Sequence, residues 1–154
     1  MVCSGNTCRS PMAWAFLSDA VAREGLPVSF ESAGVNAASG YPASETAISV
    51  LREMGLDLST HRSRPLPDDL GEFDLVLTMT RSQKALVALV AGEGPRVFTL
   101  KGFAGAPGEE DIPDPIGSSS SDYRKLAEEL RSLVPPVLGR IKRILWGEED
   151  ESCA

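Results

Sequence analysis

Residues 2–11 read Val2-Cys3-Ser4-Gly5-Asn6-Thr7-Cys8-Arg9-Ser10-Pro11. An apolar start, a glycine-containing loop and a Ser-Pro pair make this a strand–loop–helix unit. Ser10 is placed as N-cap and Pro11 at the first helical position, where its missing N–H costs nothing. Five residues separate Cys3 from Arg9. A loop of that length can curl around one tetrahedral phosphate with its backbone N–H groups turned inward. Ser4, Gly5, Asn6, Thr7 and Cys8 supply that ring, and the helix N-terminus adds donors and partial positive charge. Arg9 offers a planar fork to two phosphate oxygens, which a lysine could not. Cys3 stands at the base of the ring, the setting that turns a thiol into a nucleophile.

Working outward, residues 11–24 carry an apolar face of Phe16, Leu17, Ala20 and Val21, with Gly25 as the stop. Val28 to Ser32 is expected as a short strand. Ser44 caps a second helix through Met54, with Ile48 and Leu51 inward and Gly55 as its stop. Leu75 to Thr80 is a near-continuous apolar run, as suits a strand covered on both faces. A helix over Arg81–Ala91, a strand over Arg96–Leu100 and an amphipathic helix from Asp122 follow. Pro135-Pro136 should break or kink that last helix before it resumes towards Trp146. Strands alternating with helices predict an α/β domain with a mainly parallel sheet. Only Met1 and Val2 precede Cys3, so the opening strand is short, and an upstream start is expected.

A length of 154 residues suits one domain. It is placed at residues 1–146, followed by an acidic, disordered tail at 147–154. The formal net charge is −7. Taking Glu148, Glu149, Asp150 and Glu151 out of the 22 acidic residues, against 15 basic ones, leaves the body near −3. An acidic body without a Lys/Arg block argues against nucleic-acid binding. No apolar run approaches membrane-spanning length, and the start shows no basic-then-apolar leader, so neither membrane nor secretion is expected. Cys3, Cys8 and Cys153 are too few and odd in number for a disulfide framework, which favours a reducing cytoplasm. His61 is the sole histidine, and no Cys-x-x-Cys pair accompanies it, so a zinc site is not expected.

Cys-x-Gly-Asn-x-Cys-Arg-Ser-Pro resembles the phosphate-binding loop of the low-molecular-weight protein tyrosine phosphatase family. Ser32-Ala33-Gly34, His61-Arg62-Ser63-Arg64, Phe73-Asp74-Leu75-Val76-Leu77 with Met79, and Asp114-Pro115 follow in family order, so the resemblance covers about residues 2–145. It implies a three-layer α/β/α fold with a four-stranded parallel sheet and the phosphate loop between first strand and first helix. It implies Cys3 as nucleophile, Arg9 as phosphate clamp and Ser10 as the hydroxyl that holds the thiolate and helps it leave a phosphocysteine. Asp114 would be general acid, then base. Asn6, Ser32 and His61 resemble the set that holds the loop in shape. No metal or organic cofactor is implied. The implied partners are phosphorylated proteins, with inorganic phosphate as product.

Several residues keep a plainer reading. Cys8 either packs the loop or, as the resemblance suggests, pairs reversibly with Cys3. Asp-Pro is ordinarily a turn, and Asp111 competes with Asp114 for the acid role. His61 is read as a structural hydrogen-bonder before a base, and Trp14 as cover for a helix seam before a wall of the site.

Tyrosine phosphatases of the family tend to carry a bulky aliphatic residue where this chain has Thr7, and aromatics where it has Ile116-Gly117, so that wall is reduced here. The Cys-x-Gly-Asn-Thr-Cys-Arg-Ser-Pro form and Met79-Thr80 look like the bacterial protein arginine phosphatase branch. A threonine hydroxyl suits the polar guanidinium of phosphoarginine better than a leucine-sized side chain does. Tyrosine phosphatase is the alternative. An arsenate reductase would need further cysteines, and residues 81–100 hold none. A phosphotransfer domain would not need Arg9. A non-catalytic phosphate-binding module is the reading from outside enzymes.

Overall fold

The computed structural model describes residues 1–148. Four strands, β1 (Val2–Cys3), β2 (Ala33–Gly34), β3 (Leu75–Thr78) and β4 (Arg96–Thr99), form one parallel sheet in the order β2-β1-β3-β4. Helices α1 (Arg9–Glu24), α2 (Glu45–Glu53), α4 (Leu100–Ala104) and α5 (Ser120–Leu145) share one core, and α3 (Arg81–Ala91) packs against β3 and β4. Successive strand residues point to opposite faces. Cys3 and Leu77 therefore enter the larger core with Met12, Leu51 and Leu130, while Val2 and Val76 enter a smaller one with Leu70 and Val87. This is the three-layer α/β/α arrangement expected from the alternation of elements.

The order reverses at β1. The chain leaves it for β2 on one side and later returns to β3 on the other. In an open parallel sheet the crevice at such a switch point, outside the carboxyl ends of the strands, is where ligands bind. The loop from Cys3 to Arg9 lies there.

Several expected boundaries are corrected. Ser10 is not an N-cap: α1 begins at Arg9, Cys8 occupies the cap position, and no side chain caps it. The Ser10 hydroxyl is turned into the loop instead. Val28–Ser32 is not a strand, and β2 is Ala33–Gly34 alone. Two carbonyls of that segment go to side chains: Trp14 Nε1 donates to Phe30 O at 2.9 Å and Arg64 Nε to Ser32 O at 3.0 Å. Trp14 thereby ties the segment to α1. β3 ends at Thr78, and Thr80 becomes the N-cap of α3. Leu100 belongs to α4, a short helix that sequence periodicity did not reveal.

The last helix starts at Ser120, capped by Ser119, and runs unbroken through Pro135 and Pro136 to Leu145. A proline inside a helix costs about 3 kcal/mol through its lost N–H and ring clash. Here both prolines lie on the exposed side of the helix, as do Arg131 and Ser132, whose carbonyls a proline nitrogen cannot serve. Leu130, Leu133, Val137, Leu138 and Ile141 are buried on the other side, and their packing holds the helix together. Gly147 N donates to Ile144 O and Glu148 N to Arg143 O at the helix end. The rest of the acidic tail expected at 147–154, with Cys153, lies outside the described residues. Among the described residues no helix is long and apolar enough to cross a membrane.

Candidate active site

The loop is built around Cys3, which is buried, as are Asn6, Cys8, Arg9 and Ser10. Asn6 N donates to Cys3 Sγ at 3.2 Å, and Ser10 Oγ lies 2.9 Å from the same sulfur. Asn6 Nδ2 donates to Ser10 Oγ at 2.9 Å. The serine oxygen is thus already an acceptor, and its proton lies within reach of Cys3 Sγ and, at 3.4 Å, of Ala33 O. The Asn6 N–H and the Ser10 hydroxyl both sit against the sulfur, a polar setting that suits negative charge there.

The conformational strain sits at Asn6 rather than Gly5. Asn6 has φ 56°, the one non-glycine residue with positive φ among the described residues, at a cost of about 1–2 kcal/mol for an L side chain. It is held by a set of bonds drawn from distant segments. Asn6 Nδ2 also donates to Ser32 Oγ at 3.1 Å, Arg64 N donates to Asn6 Oδ1 at 3.0 Å, and His61 Nε2 lies 2.7 Å from Asn6 O. The partner being a carbonyl, His61 carries its proton on Nε2. Burial pushes the imidazole below its ordinary pKa of 6.5, against the upward pull of the Asn6 bond and with the nearby Arg62 charge. His61 is therefore a neutral donor to the loop.

Gly34 completes the support. A Cβ there would stand 2.4 Å from Ser4 O and 3.0 Å from Asn6 N. Only glycine lets β2 run this close to the loop, which the sequence did not reveal beyond its place in Ser-Ala-Gly.

Arg9 is held at both ends of its fork. Nη1 donates to Ile112 O at 3.0 Å, and Nη2 lies 3.3 Å from Asp114 Oδ2. Ile112 is fixed in turn by its own N–H to Met79 O at 2.9 Å. Asp111, the competing acid, is engaged elsewhere: its Oδ1 accepts from Arg81 N at 2.8 Å at the start of α3. Asp114 is the carboxylate that reaches the loop, and its side chain is 44 % exposed. Ile116, two residues on, is also exposed, and its N–H donates to Asp114 Oδ1 at 3.1 Å.

Thr7 is half-buried on the loop. Its carbonyl accepts from Ser44 N at 2.9 Å, and its Oγ1 lies 3.7 Å from Cys8 Sγ. Cys8 Sγ also lies 3.3 Å from Tyr123 OH, which accepts from Ser44 Oγ at 3.3 Å. Burial, first, and the Cys8 contact push the Tyr123 phenol up to about 12, so it stays a neutral donor facing Cys8. Both cysteines are free thiols. Tyr123, Gln83 and Arg64 are contacts that sequence reasoning missed. Thr80-x-x-Gln83 carries a visible helix-capping pattern, but nothing in it points to the loop.

The cradle just described carries a sulfur at its base, an arginine fork at its rim and a carboxylate beside the arginine. The family model for low molecular weight phosphotyrosine protein phosphatase matches residues 1–145. The chain belongs to this family. It is a phosphatase, and phosphoproteins with inorganic phosphate are the substrate and product that such membership implies. Among its relatives is a protein-arginine-phosphatase of Bacillus subtilis, 41 % identical over 145 residues, covering 92 % of this chain and 95 % of the relative. Another is a probable low molecular weight protein-tyrosine-phosphatase, EpsP, of Ralstonia nicotianae, 36 % identical over 147 residues, covering 94 % and 95 %. Among solved structures, the YwlE arginine phosphatase, as a cysteine-to-serine mutant with a phosphorylated active-site serine, superposes with TM-score 0.85. It is 39 % identical, over 92 % of this chain and 93 % of that one. A low molecular weight protein tyrosine phosphatase from T. tengcongensis gives TM-score 0.83 at 40 % identity, over 90 % and 95 %.

Proposed function

We propose that this phosphatase works through a phosphocysteine on Cys3 and that its preferred substrate is protein phosphoarginine. The observation that carries the covalent step is the buried sulfur that accepts from Asn6 N at 3.2 Å and lies 2.9 Å from the Ser10 hydroxyl. The loop amides and Arg9 hold the phosphoryl oxygens. Cys3 Sγ attacks phosphorus, and the bond from phosphorus to the leaving nitrogen breaks, its electron pair going to the nitrogen. The protonated Asp114 carboxyl gives its proton to that nitrogen. Water then attacks the phosphocysteine, its proton passes to Asp114, and the P–S bond breaks to restore Cys3 and release inorganic phosphate. The phosphorylated serine reported in the YwlE mutant supports a covalent step at the corresponding position.

The substrate preference rests on Thr7. Its hydroxyl on the half-buried loop gives a guanidinium a polar neighbour, and exposed Ile116 replaces an aromatic wall. The names of the arginine-phosphatase relatives support the same reading. Tyrosine phosphatase is the alternative, supported by the other relatives' names. Residues 1–146 are proposed as the catalytic domain, working in the reducing cytoplasm, where Cys3 stays a thiol. The test is kcat/KM on matched phosphoarginine and phosphotyrosine peptides, with Cys3→Ser as control. Phosphoarginine is expected to turn over faster, and Cys3→Ser to keep phosphate binding without turnover. A preference for phosphotyrosine transfers the assignment to the alternative, and turnover by Cys3→Ser refutes the covalent mechanism.

A further inference from the structure

Gln83 lies on the first turn of α3 and is buried, yet 79 residues of chain separate it from its partner in the phosphate loop. Its carboxamide oxygen accepts from Met79 N at 3.0 Å and Thr80 N at 3.1 Å. Both partners are N–H donors, so the amide admits one orientation, and a flip would set NH2 against N–H. Its nitrogen then points the opposite way and donates to Ser4 Oγ at 3.0 Å. Among the described residues this is the only hydrogen bond of the Ser4 hydroxyl.

Ser4 directly follows Cys3 and is gripped from two sides. From β2 and the turn after it, Gly34 packs beneath it and Asn36 N donates to its carbonyl at 3.0 Å. From α3, Gln83 occupies one lone pair of its hydroxyl. That leaves the Ser4 proton without a protein acceptor, on a half-exposed residue of the phosphate cradle. We propose that Gln83 is a positioning residue that fixes Ser4 Oγ as an acceptor, so that the Ser4 O–H donates to a phosphoryl oxygen held in the loop. The path runs from the Met79 and Thr80 amides through the Gln83 carboxamide to Ser4 and the anion. Each donor in such a series polarises the next. The inference rests on the phosphate-binding reading of the loop and goes beyond it by adding a side-chain donor and the residue that aims it.

The test is a double-mutant cycle of Ser4→Ala and Gln83→Glu, read as inhibition by inorganic phosphate together with kcat and KM on one substrate. Gln83→Glu keeps an oxygen for the Met79 and Thr80 amides but removes the donor. The Ser4 proton is then drawn to the new carboxylate and away from the anion. Each single change is expected to weaken phosphate by about 10–150-fold, the range of one hydrogen bond to a charged group. The loss should fall on KM more than on kcat. Gln83→Met, which adds no charge, gives a second cycle if the glutamate variant melts too low to assay. Non-additivity is the expected result: the double variant binds phosphate within about twofold of the weaker single one. Additive losses, or no loss in Ser4→Ala, overturn the inference while leaving the phosphatase reading intact. Failure of the parent to bind phosphate removes the reading and the inference together.

Discussion

The guanidinium of Arg9 and the carboxylate of Asp114 meet at 3.3 Å, although 105 residues separate them in sequence. The other arm of the same guanidinium binds Ile112 O. One side chain therefore positions both the phosphate clamp and the loop that carries the proposed acid.

Two substitutions divide these roles. Asp114→Asn should slow phosphoenzyme formation about 10²–10⁴-fold, the usual contribution of general acid catalysis. It should not weaken phosphate binding, because a carboxylate beside an anion gives way to a neutral amide. Arg9→Lys should lose both rate and binding, since one ammonium cannot reach Ile112 O and two phosphate oxygens together. Phosphate should bind about 10–150-fold more weakly. Pre-steady-state kinetics and phosphate inhibition separate the two, and unchanged chemistry in Asp114→Asn removes it from the acid role.

Thr7→Ile exchanges a hydroxyl for apolar surface on the loop. Such a change is worth roughly 1–3 kcal/mol, so preference should move about 10–200-fold towards phosphotyrosine. Phosphate inhibition should hold, because the cradle uses backbone amides, Arg9 and the Ser4 hydroxyl rather than the Thr7 side chain. An unmoved ratio of kcat/KM between the two peptides argues against Thr7 as a selector.

Gly34→Ala places a methyl 2.4 Å from Ser4 O. No side chain can swing away to relieve that contact, because the obstacle is backbone. A loss of about 1–3 kcal/mol is expected from overpacking. Phosphate affinity should fall with it, since Ser4 and Asn6 must shift. Thermal melting and phosphate binding measured on the same sample check this, and full retention of both contradicts the close approach.

His61 sets a pH dependence. Burial lowers its pKa in the folded state below 6.5, so the unfolded chain takes up the proton first as pH falls. The stability tied to neutral His61 is complete above pH 6.5 and is lost progressively as pH drops below it towards the folded value. His61→Gln keeps an N–H for Asn6 O without a titrating group. Its melting temperature should decline less between pH 7 and 5 than that of the parent, and parallel curves would contradict the assignment.

Much of this was legible in the chain because the signals are local. The five-residue spacing from Cys3 to Arg9, the Gly25 stop, the Ser44 cap and the apolar run of β3 each act within a few residues, where propensity and periodicity operate. Local rules failed where tertiary contacts outbid them. Ser10 was taken from capping to hold Cys3, and the carbonyls of Phe30 and Ser32 went to Trp14 and Arg64 instead of a ladder. Pro135 and Pro136 stayed helical because they lie on the exposed side of α5 while its opposite side is buried. Which carboxylate reaches Arg9, why Gly34 admits no side chain and how Gln83 finds Ser4 were decided only in three dimensions. A hydrogen bond between residues 58 to 105 positions apart leaves no periodic mark on either segment, because its cost and gain exist only once the strands have set the distance.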